Sequence, residues 1–295
     1  MSPKCATNMF RFCLYRIGQF FVNILPLRLS YFLAERLADC HYYFSFRDRR
    51  AVAANLKNIL GGSPRNAALG REVFRNFGRY LVEFFAMKRI MNDTYLQEHV
   101  TIESDKPLKD AARRGCGAIL LSAHLGSWEM GGVLVSRLGY PLTVVALPHN
   151  HRLINDFFNR QREYFGNTIV TTASAVRECT KALKANKLVA LVADRDFSGS
   201  GVLMPFFGHR VRLPVGAALF SLRQGAPIIP TFFTRRDRYN FNLSFQEPIY
   251  PECVSAVENE DEKVHQLMDR YIKIFEDKIR EMPGQWLMFR DFTQQ

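Results

Sequence analysis

Two runs without a polar side chain, Ala118-Ile-Leu-Leu121 and Leu188-Val-Ala-Leu-Val-Ala193, constrain this chain more than any other feature. Apolar stretches with no alternation suit strands buried on both faces, and such strands belong to sheets covered by helices on either side. Each run ends in polar chemistry. The first leads into Ser122-Ala-His124-Leu-Gly-Ser-Trp-Glu129 and the second into Asp194-Arg195-Asp196, followed by the glycine turn Ser198-Gly-Ser-Gly201. In open α/β sheets the ligand site lies at the carboxyl edge of the strands, so the two ends mark one site.

The five-residue step from His124 to Glu129 has a geometric meaning. On one continuous helix these positions would point about 140° apart. If His124 ends a strand and Gly126-Ser127 turns the chain into a helix, Glu129 in the first turn can swing back to the imidazole. A carboxylate on one ring nitrogen fixes the tautomer and raises the basicity of the other, which can then take a proton from a hydroxyl. His124 is therefore the candidate general base and Glu129 its partner. His151 and Asp156 have the same spacing, but Pro148-His-Asn-His-Arg is a polar turn entering a helix with no buried strand before it. That pair reads as a solvated helix start.

Arginine supplies a planar two-pronged grip for phosphate. Arg162 and Arg195 fall near the expected site edges, while Arg210 and Arg212 flank Val211. Phe206-Phe207 suits either an acyl groove or the core, and so do Trp128 and Trp286. The six cysteines stand far apart and form no zinc pattern, so neither a metal nor a disulfide framework is expected. No Gly-x-Ser-x-Gly elbow and no Gly-x4-Gly-Lys loop occurs, which removes the commonest serine hydrolase and nucleotide-binding readings. No cofactor is implied.

The 295 residues carry a net charge of +12, which favours acidic partners. Residues 1 to 60 hold nine Lys or Arg against three acids, a net +6 in the first fifth of the chain. Between Met9 and Leu25 the polar Arg16, Gln19 and Asn23 share a narrow arc, leaving an apolar face of Phe10, Leu14, Ile17, Phe21 and Ile24. This spacing predicts a helix lying in an anionic membrane surface. Its longest uncharged run, Ile17 to Leu27, has 11 residues, short of the roughly 20 needed to span a bilayer. Pro26, Arg28 and the lack of an Ala-x-Ala site argue against a signal peptide. A non-enzymatic basic protein binding anionic membranes or nucleic acid would also explain the charge. It would leave the buried strands ending in His124 and Asp194 without a purpose, and no nucleic-acid partner is expected.

Periodicity predicts helices over 9–40, 48–60, 66–90, 104–114, 127–138, 150–165, 174–186, 214–224 and 261–281. Strands are expected near 117–123, 142–147, 168–172, 188–193, 226–234 and 239–247. Their alternation predicts a three-layer α/β domain with a mixed sheet and an N-terminal amphipathic helical extension. The boundaries expected are 1–50 for the membrane-associating helical segment and 51–295 for the catalytic domain.

Six ordered landmarks carry a family resemblance: His124-x4-Glu129, Arg162-x3-Gly166, Ala193-Asp-Arg-Asp196, Phe206-Phe-Gly208, Gly225-Ala-Pro-Ile-Ile-Pro230 and Pro283-Gly-Gln-Trp286. From about residue 10 to residue 292 the chain resembles the lipid A biosynthesis (late) acyltransferases, a family that includes lauroyl, myristoyl and phosphatidylinositol mannoside acyltransferases. The resemblance implies a fold of the glycerolipid acyltransferase type. It also implies transfer of a fatty acyl chain from acyl carrier protein or acyl-CoA to a glycolipid hydroxyl, without metal, at the cytoplasmic face of the inner membrane. It assigns His124 as base, Glu129 as its partner, and Arg162, Asp194, Arg195 and Asp196 as substrate-binding positions. Asp194-Arg195 stands where the lipid A branch usually has Asp-Gln, and is nearer the mannoside branch. Leu203 occupies the place where that branch tends to have a glutamate. A phosphatidylinositol mannoside or simple glycerophospholipid acceptor is the alternative.

Overall fold

The computed structural model describes residues 3–197 and 199–294. Ser198 of the glycine turn lies outside them, as do the side chains of residues 3–7, Lys4 and Cys5 among them. Four helices come first: α1 (Pro3–Ile24), α2 (Leu27–Phe44), α3 (Phe46–Leu60) and α4 (Asn66–Ile90). A short α5 (Asp93–His99) leads into β1 (Val100–Ile102). Helices and strands then alternate as α6 (Lys106–Arg114), β2 (Ala118–Ser122), α7 (Trp128–Arg137), β3 (Leu142–Ala146), α8 (Arg152–Glu163), β4 (Thr168–Thr171), α9 (Ala175–Lys184) and β5 (Leu188–Val192). A hairpin of β6 (Val202–Phe206) and β7 (His209–Leu213) precedes α10 (Gly216–Gln224), β8 (Ile228–Arg235), β9 (Phe241–Phe245) and α11 (Glu260–Glu281).

Seven strands form one sheet in the order β1-β9-β8-β2-β5-β3-β4, parallel throughout except for the β8–β9 pair. The two apolar runs are the neighbouring central strands β2 and β5, and alternate residues feed two separate cores. Ile119, Leu121 and Val189 pack under α9, α10 and α11, whereas Leu120 and Leu188 pack under α4, α7 and α8. This is the expected three-layer mixed arrangement, with a helical N-terminal extension.

Three features depart from expectation. The single helix over 9–40 is two helices, because Pro26 has no N–H to give to the preceding turn. The edge strand β1 has only three residues, too few for a periodic signal. The β6–β7 hairpin went unforeseen because Pro205 and the charged Arg210 and Arg212 mask its alternation. Its two-residue turn, Phe207-Gly208, has positive φ at both positions (50° and 77°), as a primed hairpin turn demands. Phe206 and Phe207 are buried in the core beside Trp286 and Phe292, so they are packing residues and line no groove.

The extension is fastened through α2. Tyr31 gives its hydroxyl proton to the fully buried Glu83 carboxylate on α4, which also pairs with Arg235 of β8. Arg71 and Arg75 of α4 both fork onto Asp39, holding its carboxyl well below the usual range. On α1, Phe12, Tyr15 and Val22 face the body, and Asn23 donates to the Phe85 carbonyl. The opposite face of α1 is bare: Phe10, Leu14, Ile17, Phe20, Phe21 and Ile24 are all at least half exposed. Exposed Leu29, Phe32, Leu33 and Leu37 continue the apolar surface along α2. Among the described residues no helix is long and apolar enough to cross a membrane.

Candidate active site

Strand register brings the two chemical clusters together. β2 and β5 pair in parallel with a constant offset of seventy positions, from Ala118 beside Leu188 to Ser122 beside Val192. The same offset carries past the strand ends: the Ala193 N–H reaches the Ser122 carbonyl at 3.0 Å, and His124 emerges beside Asp194. Asp194 Oδ1 lies 2.6 Å from His124 Nδ1, and Asp194 Oδ2 accepts the His124 backbone N–H at 3.1 Å. Trp286 Nε1 donates to the same Oδ2 at 2.8 Å. Asp194 has no solvent exposure. Burial alone would raise its pKa, but the neighbouring imidazole, the Arg195 charge and the indole donor outweigh it and bring the carboxyl down to about 2. An ionised carboxylate on Nδ1 selects the tautomer with its proton there and leaves Nε2 as the basic nitrogen.

The segment after α11 locks this geometry. A 3-10 turn at Pro283–Gln285 is followed by a short antiparallel bridge between Trp286 and Leu125, with the Leu287 N–H on the His124 carbonyl at 2.8 Å and the Gly126 N–H on the Gln285 carbonyl at 3.0 Å. The Gln285 side chain bonds both the N–H and the carbonyl of Arg235 on β8. Gly126 has φ of +68°, and a Cβ there would stand 2.3 Å from the Phe233 carbonyl oxygen, so only glycine permits the turn after His124. The Pro-Gly-Gln-Trp landmark is thus a strap across the histidine loop.

Glu129 is placed otherwise than expected. It sits in the first turn of α7, but its carboxylate takes a two-pronged fork from Arg162 in the last turn of α8, with Nε at 2.9 Å from Oε2 and Nη2 at 2.5 Å from Oε1. The contact expected between Glu129 and His124 is replaced by Asp194, which register has already set against Nδ1. A guanidinium also matches a carboxylate fork better than an imidazole does. The Glu129 charge raises the Arg162 pKa against the opposing effect of burial.

The other expected binding residues divide. Arg195 donates to the Leu287 carbonyl at 2.6 Å and approaches the Met288 sulfur, so it braces the C-terminal strap while lining the site; burial lowers its pKa. Asp196 accepts the Gly201 N–H at 2.8 Å and closes the glycine turn. Arg212 reaches the Gly201 carbonyl, and Arg210 is exposed on the hairpin. His151 precedes α8 and the ion pair of Asp156 is with Arg152, so the second His-x4-acid match forms no site.

These groups border a cavity of about 820 Å³, lined by His124, Trp128, Glu129, Arg162, Arg195 and Asp196 and otherwise mainly by apolar side chains. One arm runs beneath α7 and α8, and the other passes Val176, Leu219 and Phe220 on the opposite face of the sheet. The volume and lining suit a molecule with a long apolar part and a polar reacting end. Of two further wall residues, Trp128 was a candidate for such a place from the sequence and His149 was not. Trp128 sets its ring edge-to-face with His124 at 4.9 Å and stacks on Tyr80 at 4.5 Å. His149 lies tilted against Phe158 with ring centroids 4.6 Å apart, and burial, with Arg162 nearby, lowers its pKa. Among the described residues no cluster of three or more His, Cys, Asp and Glu side chains is arranged to hold a metal ion.

A carboxylate-oriented imidazole bordering a largely apolar cavity, at the carboxyl edge of a mixed α/β sheet, has the geometry to take a proton beside a lipid-like molecule. The chain belongs to the bacterial lipid A biosynthesis acyltransferase family, whose model matches residues 4–292, and it is an acyltransferase. It is 29% identical over 246 residues to a phosphatidylinositol mannoside acyltransferase of Mycobacterium tuberculosis, covering 80% of this chain and 74% of the relative. The corresponding protein of Mycolicibacterium smegmatis is 28% identical over 244 residues, covering 80% and 76%. A lipid A biosynthesis acyltransferase of Haemophilus influenzae is 22% identical over 165 residues, covering 55% of this chain and 50% of the relative.

Proposed function

We propose that this protein attaches to an anionic membrane surface and transfers a fatty acyl chain from acyl carrier protein or acyl-CoA to a hydroxyl of a glycolipid, with His124 as general base. The observation that carries the reading is the buried Asp194 carboxylate on His124 Nδ1, which leaves Nε2 as the base in an apolar cavity. The acceptor hydroxyl gives its proton to Nε2 as its oxygen attacks the thioester carbonyl. The tetrahedral intermediate then collapses with loss of the thiolate, which recovers the proton from the imidazolium. No covalent acyl-enzyme is required. The Glu129–Arg162 pair ties α7 to α8 on the cavity wall, where Arg162 offers its remaining N–H groups to an anionic part of either substrate.

The bare apolar face of α1 and α2, with Arg11, Arg16, Arg28 and Arg36 on the same helices, supports peripheral attachment at the cytoplasmic leaflet. Half of the net +6 of the first sixty residues lies on these two helices. A glycolipid acceptor is favoured because the relatives are named for mannoside and lipid A acylation.

The test incubates purified protein with labelled acyl donors and separate glycolipid and glycerophospholipid acceptors, beside His124→Ala. A labelled glycolipid that disappears in the variant is the expected result. Transfer confined to glycerophospholipids would replace the acceptor class, and no transfer by folded, vesicle-bound protein would reject the reading.

A further inference from the structure

The α7 wall of the cavity contains adjacent glycines in opposite surroundings. Gly131 is buried against β8, where a Cβ would fall 2.7 Å from the Phe233 Cβ, so the helix can approach the sheet only without a side chain there. Gly132 keeps accessible surface, and a Cβ on it would meet only Leu142 Cδ1, at an ordinary 3.7 Å. Glycine inside a helix is less favourable than alanine. At Gly132 no packing requirement accounts for it; the missing side chain leaves space on the cavity side.

That space opens on the part of the cavity wall that α7 shares with β3, where Gly132, Val135 and Leu142 all line it. Beneath α7 the cavity follows β3 along its whole length, past Ala146 and Val144 to Leu142, with Leu120 and Ala190 as its floor. From Ala146 back to Leu142 the strand covers about 13 Å. Leu142 is 2% exposed and its N–H is held by the Asn167 side-chain oxygen at 3.0 Å, so this end is firmly placed.

We propose that Gly132 and Leu142 together set the length of the acyl chain this enzyme transfers, the chain lying beneath α7 with its methyl end at Leu142. The inference rests on acyl transfer at His124. The occupant is the transferred chain because its first carbon is the reacting carbonyl, so its tail begins where this arm opens. Any acyl chains already on the acceptor begin further off, beyond its sugar.

Wild type, Gly132→Leu and Leu142→Ala are assayed with saturated donors from decanoyl to stearoyl, reading kcat/KM at each length. Gly132→Leu is expected to move the optimum to shorter chains, losing about fourfold for each methylene it excludes while keeping turnover of the short donors. Leu142→Ala moves the optimum the other way. An unchanged length profile in both folded variants overturns the inference, as does a shift seen only with the acyl length of the acceptor. If Gly132→Leu does not fold, Gly132→Ala, favoured in a helix, and Leu142→Ala decide. Absence of transfer with every donor in wild type instead rejects acyl transfer itself.

Discussion

The two acid–base pairs of the cavity are built by the fold in different ways. His124–Asp194 joins two neighbouring strands, is set by their register, and holds a carboxylate with three donors and no solvent exposure. Glu129–Arg162 joins two helices, closes on itself as a fork, and keeps part of each side chain accessible in the cavity wall. The first pair leaves a basic nitrogen free to act, whereas the second neutralises both its members. Proximity in sequence, five residues for His124 and Glu129 against seventy for His124 and Asp194, is therefore the wrong guide to which carboxylate supports the base.

Four experiments press on this difference, taken from the largest expected effect downward. His124→Ala removes the base and should lower the rate by about 10² to 10⁴ with folding intact; near-normal turnover would strip His124 of its role. Asp194→Asn keeps the shape but presents an amide to Nδ1, which favours the wrong tautomer. A loss of about 10³ in kcat is expected, read under saturating substrates so that binding does not contribute. Glu129→Gln opens the fork but leaves the tautomer alone, so about a tenfold loss is expected, mostly in KM, with thermal unfolding monitored because Arg162 is left without its counter-charge.

The fourth experiment is acid titration of stability. The Asp194 carboxyl is held near 2 in the native protein, below its ordinary value near 4. A depressed carboxylate contributes stability that is complete above its unfolded pKa and lost as pH falls through the native one. Wild type should thus lose about 2 kcal/mol from this group between roughly pH 4 and 2. Asp194→Asn should be less stable above that window and show a shallower acid decline within it, and an identical slope in both proteins would contradict the assigned environment.

Much of the architecture was readable because buried parallel strands write themselves plainly. The apolar runs of β2 and β5, and the heptad-like recurrence of Val264, Leu267, Met268, Tyr271, Ile274 and Ile279 in α11, need no tertiary information to be seen. His124 and Asp194 were both identifiable as candidates for the site for the same reason, each following such a run. Their pairing was not, since it depends on β2 and β5 being neighbours and in register, which no local pattern encodes. The bond from Trp286 to Asp194 was beyond reach for a related cause: the indole acts ninety-two positions from its acceptor, through a strap whose place against the histidine loop no local pattern encodes. The apolar face of α1 was visible in its helical spacing, and its outward direction is a property of the fold, set by Tyr15, Val22 and Asn23 turning to the body.

Side-by-side steady-state kinetics of Asp194→Asn and Glu129→Gln test the central claim most directly, with folding of each checked by circular dichroism. Asp194 as the carboxylate behind His124 predicts a kcat nearly a thousandfold lower for Asp194→Asn than for Glu129→Gln. Equal losses in kcat, or a greater loss for Glu129→Gln with KM unchanged, would return the supporting role to Glu129 and contradict the account.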